Sequence, residues 1–173
     1  PTLHFITILH KTKVCQPPHF LMNQTILLLN GPNLNLLGTR EPGIYGTDTL
    51  ESIEERVRNI VEPGGFALRC FQSNAEGALI DWIHANRDAG FLLVNPAAFT
   101  HTSIALRDAI KGVALPFLEI HLSNVHQREP FRSHSCFSDV AVGCLVGLGV
   151  RGYELGARFA MDYLRDHADV PSR

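Results

Sequence analysis

The strongest constraint on the fold of this chain is a regular alternation of apolar runs and amphipathic stretches. Five apolar runs are typical of buried β-strands, and they cover residues 26–31, 66–72, 91–98, 115–122 and 140–149. Amphipathic stretches typical of helices cover residues 50–62, 75–89, 103–112 and 152–167. Apolar strands that alternate with helices predict a parallel sheet that is covered on both faces.

The alternation also limits the topology of that sheet. Parallel strands are joined by crossovers, and a doubly wound sheet of five strands commonly has the order 2-1-3-4-5. We therefore predict an α/β fold, a flavodoxin-like doubly wound five-stranded parallel sheet in a three-layer sandwich. The side chains that we expect to cap the first three helices are Asp48 or Thr49, Ser73 or Asn74, and Thr102 or Ser103.

Composition excludes several classes of function. The formal net charge of −2 leaves no electrostatic footprint for nucleic acid. No apolar run approaches the roughly 18 residues that a membrane span needs. The four cysteines lie far apart without a CxxC pair, which favours free thiols in a reducing compartment and a cytoplasmic location.

The chain divides into three segments of unequal length. Residues 25–168 contain all the predicted elements, and we expect them to form a single flavodoxin-like catalytic domain. We interpret residues 1–24 as an extension outside the core, which is upstream or non-native sequence or a flexible segment. The alternative is an arm that packs on a neighbouring subunit. We expect residues 169–173 to be a tail.

Polar side chains follow three of the predicted strands at their carboxyl ends. They are Asn33 after the first strand, Asn95 and His101 after the third, and His121 and Ser123 at the end of the fourth. In the predicted order these strands are neighbours, so their polar ends converge on one crevice, where open α/β sheets bind ligands. Capping a turn is the common role of one isolated asparagine, but convergence from separate strands favours a shared site.

Glu119 and His121 lie two residues apart on the fourth predicted strand. On a strand both side chains then point to the same face, and a carboxylate beside an imidazole fixes its tautomer and raises its basicity. This spacing favours a histidine that transfers a proton.

The long loop after the first strand carries Arg40 and Tyr45. An unperturbed phenol has a pKa of about 10, and lowering it by two units takes about 2.7 kcal/mol of preferential stabilisation of the anion. A close guanidinium in a site that excludes water can supply this stabilisation, and a loop that closes can exclude the water. An ordinary surface position is the alternative for the tyrosine.

The polar connection after the fourth strand adds Arg128 and Arg132. Either arginine is a surface charge or faces the crevice, where a guanidinium suits a carboxylate or a set of hydroxyls. We interpret His126 and His134 as surface or hydrogen-bonded histidines. The histidines show no HxxxH pair and no cysteine partner, so we predict no metal site.

Four long motifs make a family resemblance specific. In order they are NGPNLNLLGTREPGIYG, SNAEGALIDWIH, NPAAFTHTSIALRDA and EIHLSNVHQREPFRSHS, and the resemblance covers about residues 26–165. With these motifs the chain resembles a type II 3-dehydroquinate dehydratase. The resemblance implies a flavodoxin-like lyase that carries out the anti dehydration of 3-dehydroquinate to 3-dehydroshikimate through an enolate, in the shikimate pathway or quinate catabolism. It also implies no cofactor and a homododecamer built as a tetramer of trimers.

The resemblance also implies roles for individual residues. Tyr45 corresponds to the base and Arg40 to the lid arginine that favours its ionised form, while His121 corresponds to the general acid, oriented by Glu119. Asn33 corresponds to the residue that helps to stabilise the enolate through a water. The implied substrate-binding positions are Asn95, His101, Asp108, Leu122, Ser123 and Arg132. The acid at Asp108 is expected to reach the site of an adjacent subunit.

Three other classes of protein compete with this interpretation. A flavin-binding protein of this fold would need a hydroxyl-rich loop after the first strand, whereas the chain has NGPNLNLLG there. A serine hydrolase that uses Ser123 would need a GxSxG elbow around it, which the sequence lacks. A non-catalytic homologue is the third alternative, and an activity assay separates it.

Overall fold

The computed structural model describes residues 24–39 and 48–168. The strands are β1 (Thr25–Asn30), β2 (Ala67–Gln72), β3 (Phe91–Asn95), β4 (Phe117–His121) and β5 (Gly143–Val146). The α-helices are α1 (Leu50–Val61), α2 (Glu76–Ala85), α3 (Ile104–Gly112) and α4 (Arg151–Asp166). The predicted tail lies outside the described residues, as does the predicted extension apart from Gln24.

The five strands form one sheet in the order β2-β1-β3-β4-β5, and every neighbouring pair is parallel. The predicted order is therefore confirmed. The register pairs Asn30 of β1 with Asn95 of β3, and Val94 of β3 with Glu119 of β4. The carboxyl ends of the three central strands consequently meet at one edge of the sheet.

The sheet is covered on both faces, as the apolar strands predicted. Alternate residues of β1 point to opposite faces, so Ile26 and Leu28 belong to one apolar cluster and Leu27 and Leu29 to the other. Helices α1 and α4 complete the first cluster, and α2 and α3 complete the second. This arrangement is a three-layer α/β sandwich. No helix in the described part of the chain is long and apolar enough to span a membrane.

Two of the three predicted helix caps are present. The side chain of Thr49 accepts a hydrogen bond from the amide of Ser52, and that of Ser103 accepts one from the amide of Leu106. The prediction that Ser73 or Asn74 caps the second helix is wrong, because α2 begins after Ala75 without a side-chain cap.

Local hydrogen bonds explain two of the differences between the predicted and the observed element bounds. Helix α2 ends at Ala85 rather than at residue 89, because the Asn86 side chain donates to the carbonyl of Trp82 and closes the last turn. Strand β5 is shorter than predicted. The amides of Val140 and Ala141 donate to the carbonyl of Phe137 in a turn, so these residues are withheld from the strand.

Candidate active site

A cavity of about 220 Å³ opens at the carboxyl ends of β1, β3 and β4. Seven of the residues predicted from the sequence line it: Asn33, Asn95, His101, His121, Leu122, Ser123 and Arg132. Apolar residues complete the wall, namely Pro32, Leu34, Leu36, Leu37, Ala97, Ala98 and Val125. The cavity is thus an apolar cleft with polar groups from several elements, which is typical of a site for a small molecule.

Asn33 sits in a turn whose backbone is held from the next strand. Its φ of 66° lies in the left-handed region, which asparagine tolerates better than most residues. Its amide donates to the Asn74 side-chain oxygen at 2.9 Å, and the Gln72 amide group donates to the same oxygen at 3.0 Å. Asn74 therefore fixes the entrance of the cavity instead of capping α2.

A buried chain of hydrogen bonds orients Asn95. The amide of Ala97 donates to its Oδ1 at 3.1 Å, so the Asn95 Nδ2 lies on the other side and donates to the Tyr153 hydroxyl at 2.8 Å. That hydroxyl donates onward to Asn30 Oδ1 at 2.9 Å. Burial raises the pKa of the Tyr153 phenol, so it stays protonated and remains a donor.

His121 is joined to Glu119 inside the sheet. Its Nε2 lies 2.8 Å from Glu119 Oε1, and both side chains are almost fully buried. Burial by itself would raise the pKa of the Glu119 carboxyl, but the hydrogen bonds from His121, Thr100 and Ser135 and the charge of His121 outweigh it and lower that pKa. Glu119 is therefore ionised, and His121 Nε2 carries the hydrogen between them.

Two further basic groups are fixed by their neighbours at the rim of the cavity. His101 Nδ1 lies 2.6 Å from the carbonyl of His134, so it carries the hydrogen of that bond. Arg132 Nε donates to Glu129 at 2.7 Å, and its guanidinium lies over the Phe131 ring. Both side chains line the cavity, and these hydrogen bonds fix their orientation there.

Two of the predicted site residues that the structure describes do not line the cavity, and the first, Glu119, is buried beside His121. Asp108 is exposed on α3 and does not line this cavity. Arg40 and Tyr45 fall outside the described residues. Within the ranges that the structure describes, no group of three or more His, Cys, Asp or Glu side chains is arranged to hold a metal ion.

Arg128, whose position the sequence left open, lines the cavity. Three other side chains that support the site were missed by reasoning from the sequence. Thr100 and Ser135 donate to Glu119, and Tyr153 orients Asn95. Tyr153 is separated from Asn95 by 58 residues, so no local spacing connects them. For Tyr153, the one signal in the sequence was that a side chain with a hydroxyl falls on the core-facing side of the last predicted helix.

Comparison with known proteins shows what the whole chain is similar to. The model of the family described as dehydroquinase class II matches residues 24–161. A 3-dehydroquinate dehydratase of Haemophilus influenzae is 60% identical over 146 residues, covering 83% of this chain and 98% of that protein. One of Pseudomonas savastanoi pv. phaseolicola is 61% identical over 142 residues, covering 81% and 95%. The crystal structure of a type II dehydroquinase from Propionibacterium acnes superposes with a TM-score of 0.76 at 39% identity, covering 82% of this chain and 98% of that one.

Proposed function

The chain belongs to the dehydroquinase class II family, and from this premise we propose that it dehydrates 3-dehydroquinate to 3-dehydroshikimate without a cofactor. The reaction is shared by the shikimate pathway and quinate catabolism. The observation that carries the proposal is the cavity at the strand ends, which brings together His121, Asn33 and Asn95 beside the buried carboxylate of Glu119.

The first step is removal of a proton from carbon two, next to the ketone. Tyr45 as its phenolate is the base, and Arg40 favours that anion by its charge. The negative charge moves to the ketone oxygen, where a water held by Asn33 donates a hydrogen bond to the enolate. Asn33 lines the cavity, and its position is supported by the bond from its amide to Asn74.

The second step is departure of the hydroxyl at carbon one. His121 in its protonated form gives this oxygen a proton, so that water leaves as the enolate collapses to the conjugated enone. Because Nε2 is committed to Glu119, the transferred proton comes from Nδ1. The ionised Glu119 stabilises the imidazolium before transfer and fixes the orientation of the ring.

The remaining polar groups hold the substrate. The Ser123 hydroxyl and the backbone amide of Leu122 bind its carboxylate, and Arg132, His101 and Asn95 bind ring oxygens. These groups come from three different strand ends and the polar connection, so they surround a small ring from several sides. A ring whose hydroxyls match these groups is thereby distinguished from one that lacks them.

We further propose that residues 25–168 are the catalytic domain, that the enzyme is cytoplasmic, and that it assembles as a dodecamer of four trimers. The location is supported by the scattered cysteines. In the trimer Asp108 reaches the adjacent site, and its exposed position on α3 is compatible with this role. Size-exclusion chromatography with light scattering measures the assembly directly.

The function is tested by incubating the purified protein with 3-dehydroquinate and following the ultraviolet absorbance of the enone product. We expect turnover, and we expect it to be unchanged by EDTA or borohydride because neither a metal ion nor an imine takes part. The protein should also show no flavin absorbance. Absence of product at every pH, or loss of turnover in EDTA, would contradict the proposal.

A further inference from the structure

The carboxylate of Glu119 is surrounded by donors that its own strand does not supply. Glu119 is 1% exposed. Besides His121, three side chains donate to its two oxygens: Thr100 from the turn after β3, Ser135 from the polar connection, and Cys144 from β5 at 3.7 Å. Thr100 is itself 1% exposed, whereas Ser135 is half-buried and Cys144 is exposed, so the Glu119 carboxylate and the Thr100 hydroxyl form the buried part of this cluster.

The direction of the Ser135 bond follows from its other partners. Its oxygen accepts the backbone amides of Phe137 at 2.9 Å and Ser138 at 3.1 Å, which occupies both lone pairs. The single hydroxyl hydrogen therefore points at Glu119, whose oxygens at 2.8 and 2.9 Å are charged and lie nearer than the Thr100 oxygen at 3.2 Å. Ser135 acts as a donor to the carboxylate and not as an acceptor from a protonated acid.

The same reasoning fixes the Thr100 hydroxyl. It lies 3.2 Å from the Ser135 oxygen, whose acceptor positions are already occupied by the two backbone amides. Its hydrogen consequently goes to Glu119 Oε1, the oxygen that also accepts from His121. Two hydroxyls and an imidazole N–H thus converge on one anionic group.

We propose that Thr100 and Ser135 are positioning residues for the dehydration, which hold Glu119 as an immobile anion and thereby keep the transferable proton on Nδ1 of His121. The inference rests on the proposed role of His121 as the acid. If Glu119 were free to rotate or to take up a proton, the imidazole of His121 would lose its fixed tautomer and its fixed orientation. The hydroxyls also share the charge of the carboxylate, so they moderate its attraction for the proton on the ring.

Among the residues that the structure describes, two titratable side chains are bonded to Glu119, which makes the effect measurable. His121 contacts it from β4 and Cys144 from β5, while Thr100 and Ser135 do not ionise at neutral pH. Burial and the neighbouring carboxylate raise the pKa of the Cys144 thiol to about 11, so it remains a neutral donor. The basic groups that share the cavity with His121 are the same in every variant, namely His101, Arg128 and Arg132. A change in the titration of His121 after removal of a hydroxyl can then be assigned to that hydroxyl.

The test uses Thr100→Val, which removes the hydroxyl at nearly constant shape, and Ser135→Ala. Thr100→Ser and Ser135→Thr keep the hydroxyls and are the conservative rescues. Ser133→Ala is the matched control, because the Ser133 hydroxyl lies in the same connection but donates to the carbonyl of Pro130. Each variant is examined as the intact assembly by kinetics and by histidine ring NMR, with His121 assigned from a His121→Asn variant.

We expect Thr100→Val and Ser135→Ala to lower kcat about tenfold, a fraction of what a general acid contributes, with KM within about twofold. The His121 pKa measured by NMR should rise, because an anion with fewer donors attracts the ring proton more strongly. The rescues and Ser133→Ala should retain the wild-type values. An unchanged or lowered His121 pKa, or equal losses in Ser133→Ala, would overturn the inference.

The NMR measurement needs no substrate, so it separates the two proposals. A raised His121 pKa in a protein that does not turn over 3-dehydroquinate would contradict the proposed function alone. Normal turnover with His121 titrations that are identical in all variants would contradict the positioning role alone.

Discussion

At the scale of single residues, Tyr153 shows how a buried side chain determines what the cavity presents. Its hydroxyl accepts from Asn95 and donates to Asn30, so the direction of each hydrogen bond is fixed from the Ala97 amide after β3 to the end of β1. Within the described residues, Asn30 Nδ2 is a buried polar atom without a partner, which indicates that the chain ends there. The orientation of Asn95 therefore depends on a residue that does not touch the cavity.

Tyr153→Phe should destabilise the protein and weaken substrate binding. The change leaves Asn95 Nδ2 and Asn30 Oδ1 buried without their partner, at a cost of about 1–3 kcal/mol in the free energy of unfolding. KM should rise more than kcat falls, because the proposed role of Asn95 is to bind the substrate. Urea unfolding and steady-state kinetics measure the two effects. Tyr163→Phe, which keeps its ring against Phe91 at 5.0 Å, is the control and should change neither.

Tyr45→Phe should abolish turnover while substrate affinity stays within about tenfold, because the base that we propose acts mainly in the transition state. Calorimetric binding of 3-dehydroquinate to this variant gives the affinity without turnover. Arg40→Ala should instead leave some activity and move the ionisation of the base to higher pH in the rate profile. Full activity of Tyr45→Phe would assign the proton abstraction to another group.

At the scale of elements, the site depends on how closely β1 and β3 approach where they end. The amide of Gly31 donates to the carbonyl of Asn95 at 2.8 Å. A β-carbon at Gly31 would lie 2.6 Å from the carbonyl carbon of Pro96 and closer still to its oxygen. The glycine in the first motif is therefore required by backbone packing, and it lets the turn with Asn33 lie beside the end of β3.

Gly31→Ala should strongly reduce activity and stability, because backbone atoms cannot move aside as a flexible side chain can. We expect a loss of about 2 kcal/mol or more in unfolding free energy, of the size seen when a core is overpacked. Gly77→Ala in α2 is the control, since a β-carbon there meets nothing within 4 Å. It should be neutral or slightly stabilising. Equal thermal stability of the two variants would contradict the packing argument.

At the scale of the whole molecule, the fold follows from patterns that are local in sequence, whereas the site follows from them only in part. Apolar runs and crossovers were sufficient for the strand order, which is confirmed. The end of α2 was not predicted because the Asn86 side chain bonds the backbone instead of solvent, and that choice depends on tertiary context.

The lining of the cavity was accessible from the sequence because it lies at strand ends, where the predicted order converts sequence position into space. The side chains that contact the lining residues from outside the cavity could not be predicted in this way. Ser135 contacts Glu119 across a sequence separation of 16 residues, and Tyr153 contacts Asn30 across 123. Both contacts depend on how the whole chain packs. The structure was therefore needed to identify the residues that hold the lining side chains in place.

Assembly is the scale at which the proposed site becomes complete. Asp108 is exposed on α3 and does not line the cavity of its own chain. If it serves the adjacent site of a trimer, each site contains Tyr45 of one chain and Asp108 of another. A chain that lacks one of these residues can then be complemented by a chain that lacks the other.

Mixing Tyr45→Phe and Asp108→Ala chains tests this arrangement. Each variant alone should be nearly inactive. After joint unfolding and reassembly at equal amounts, random trimers should recover about a quarter of wild-type activity, because a site needs an intact Tyr45 chain followed by an intact Asp108 chain. Mixing without unfolding is the control and should recover nothing while the assemblies stay intact. Recovery that is absent at every ratio, despite normal reassembly by light scattering, would mean that each site takes both residues from one chain.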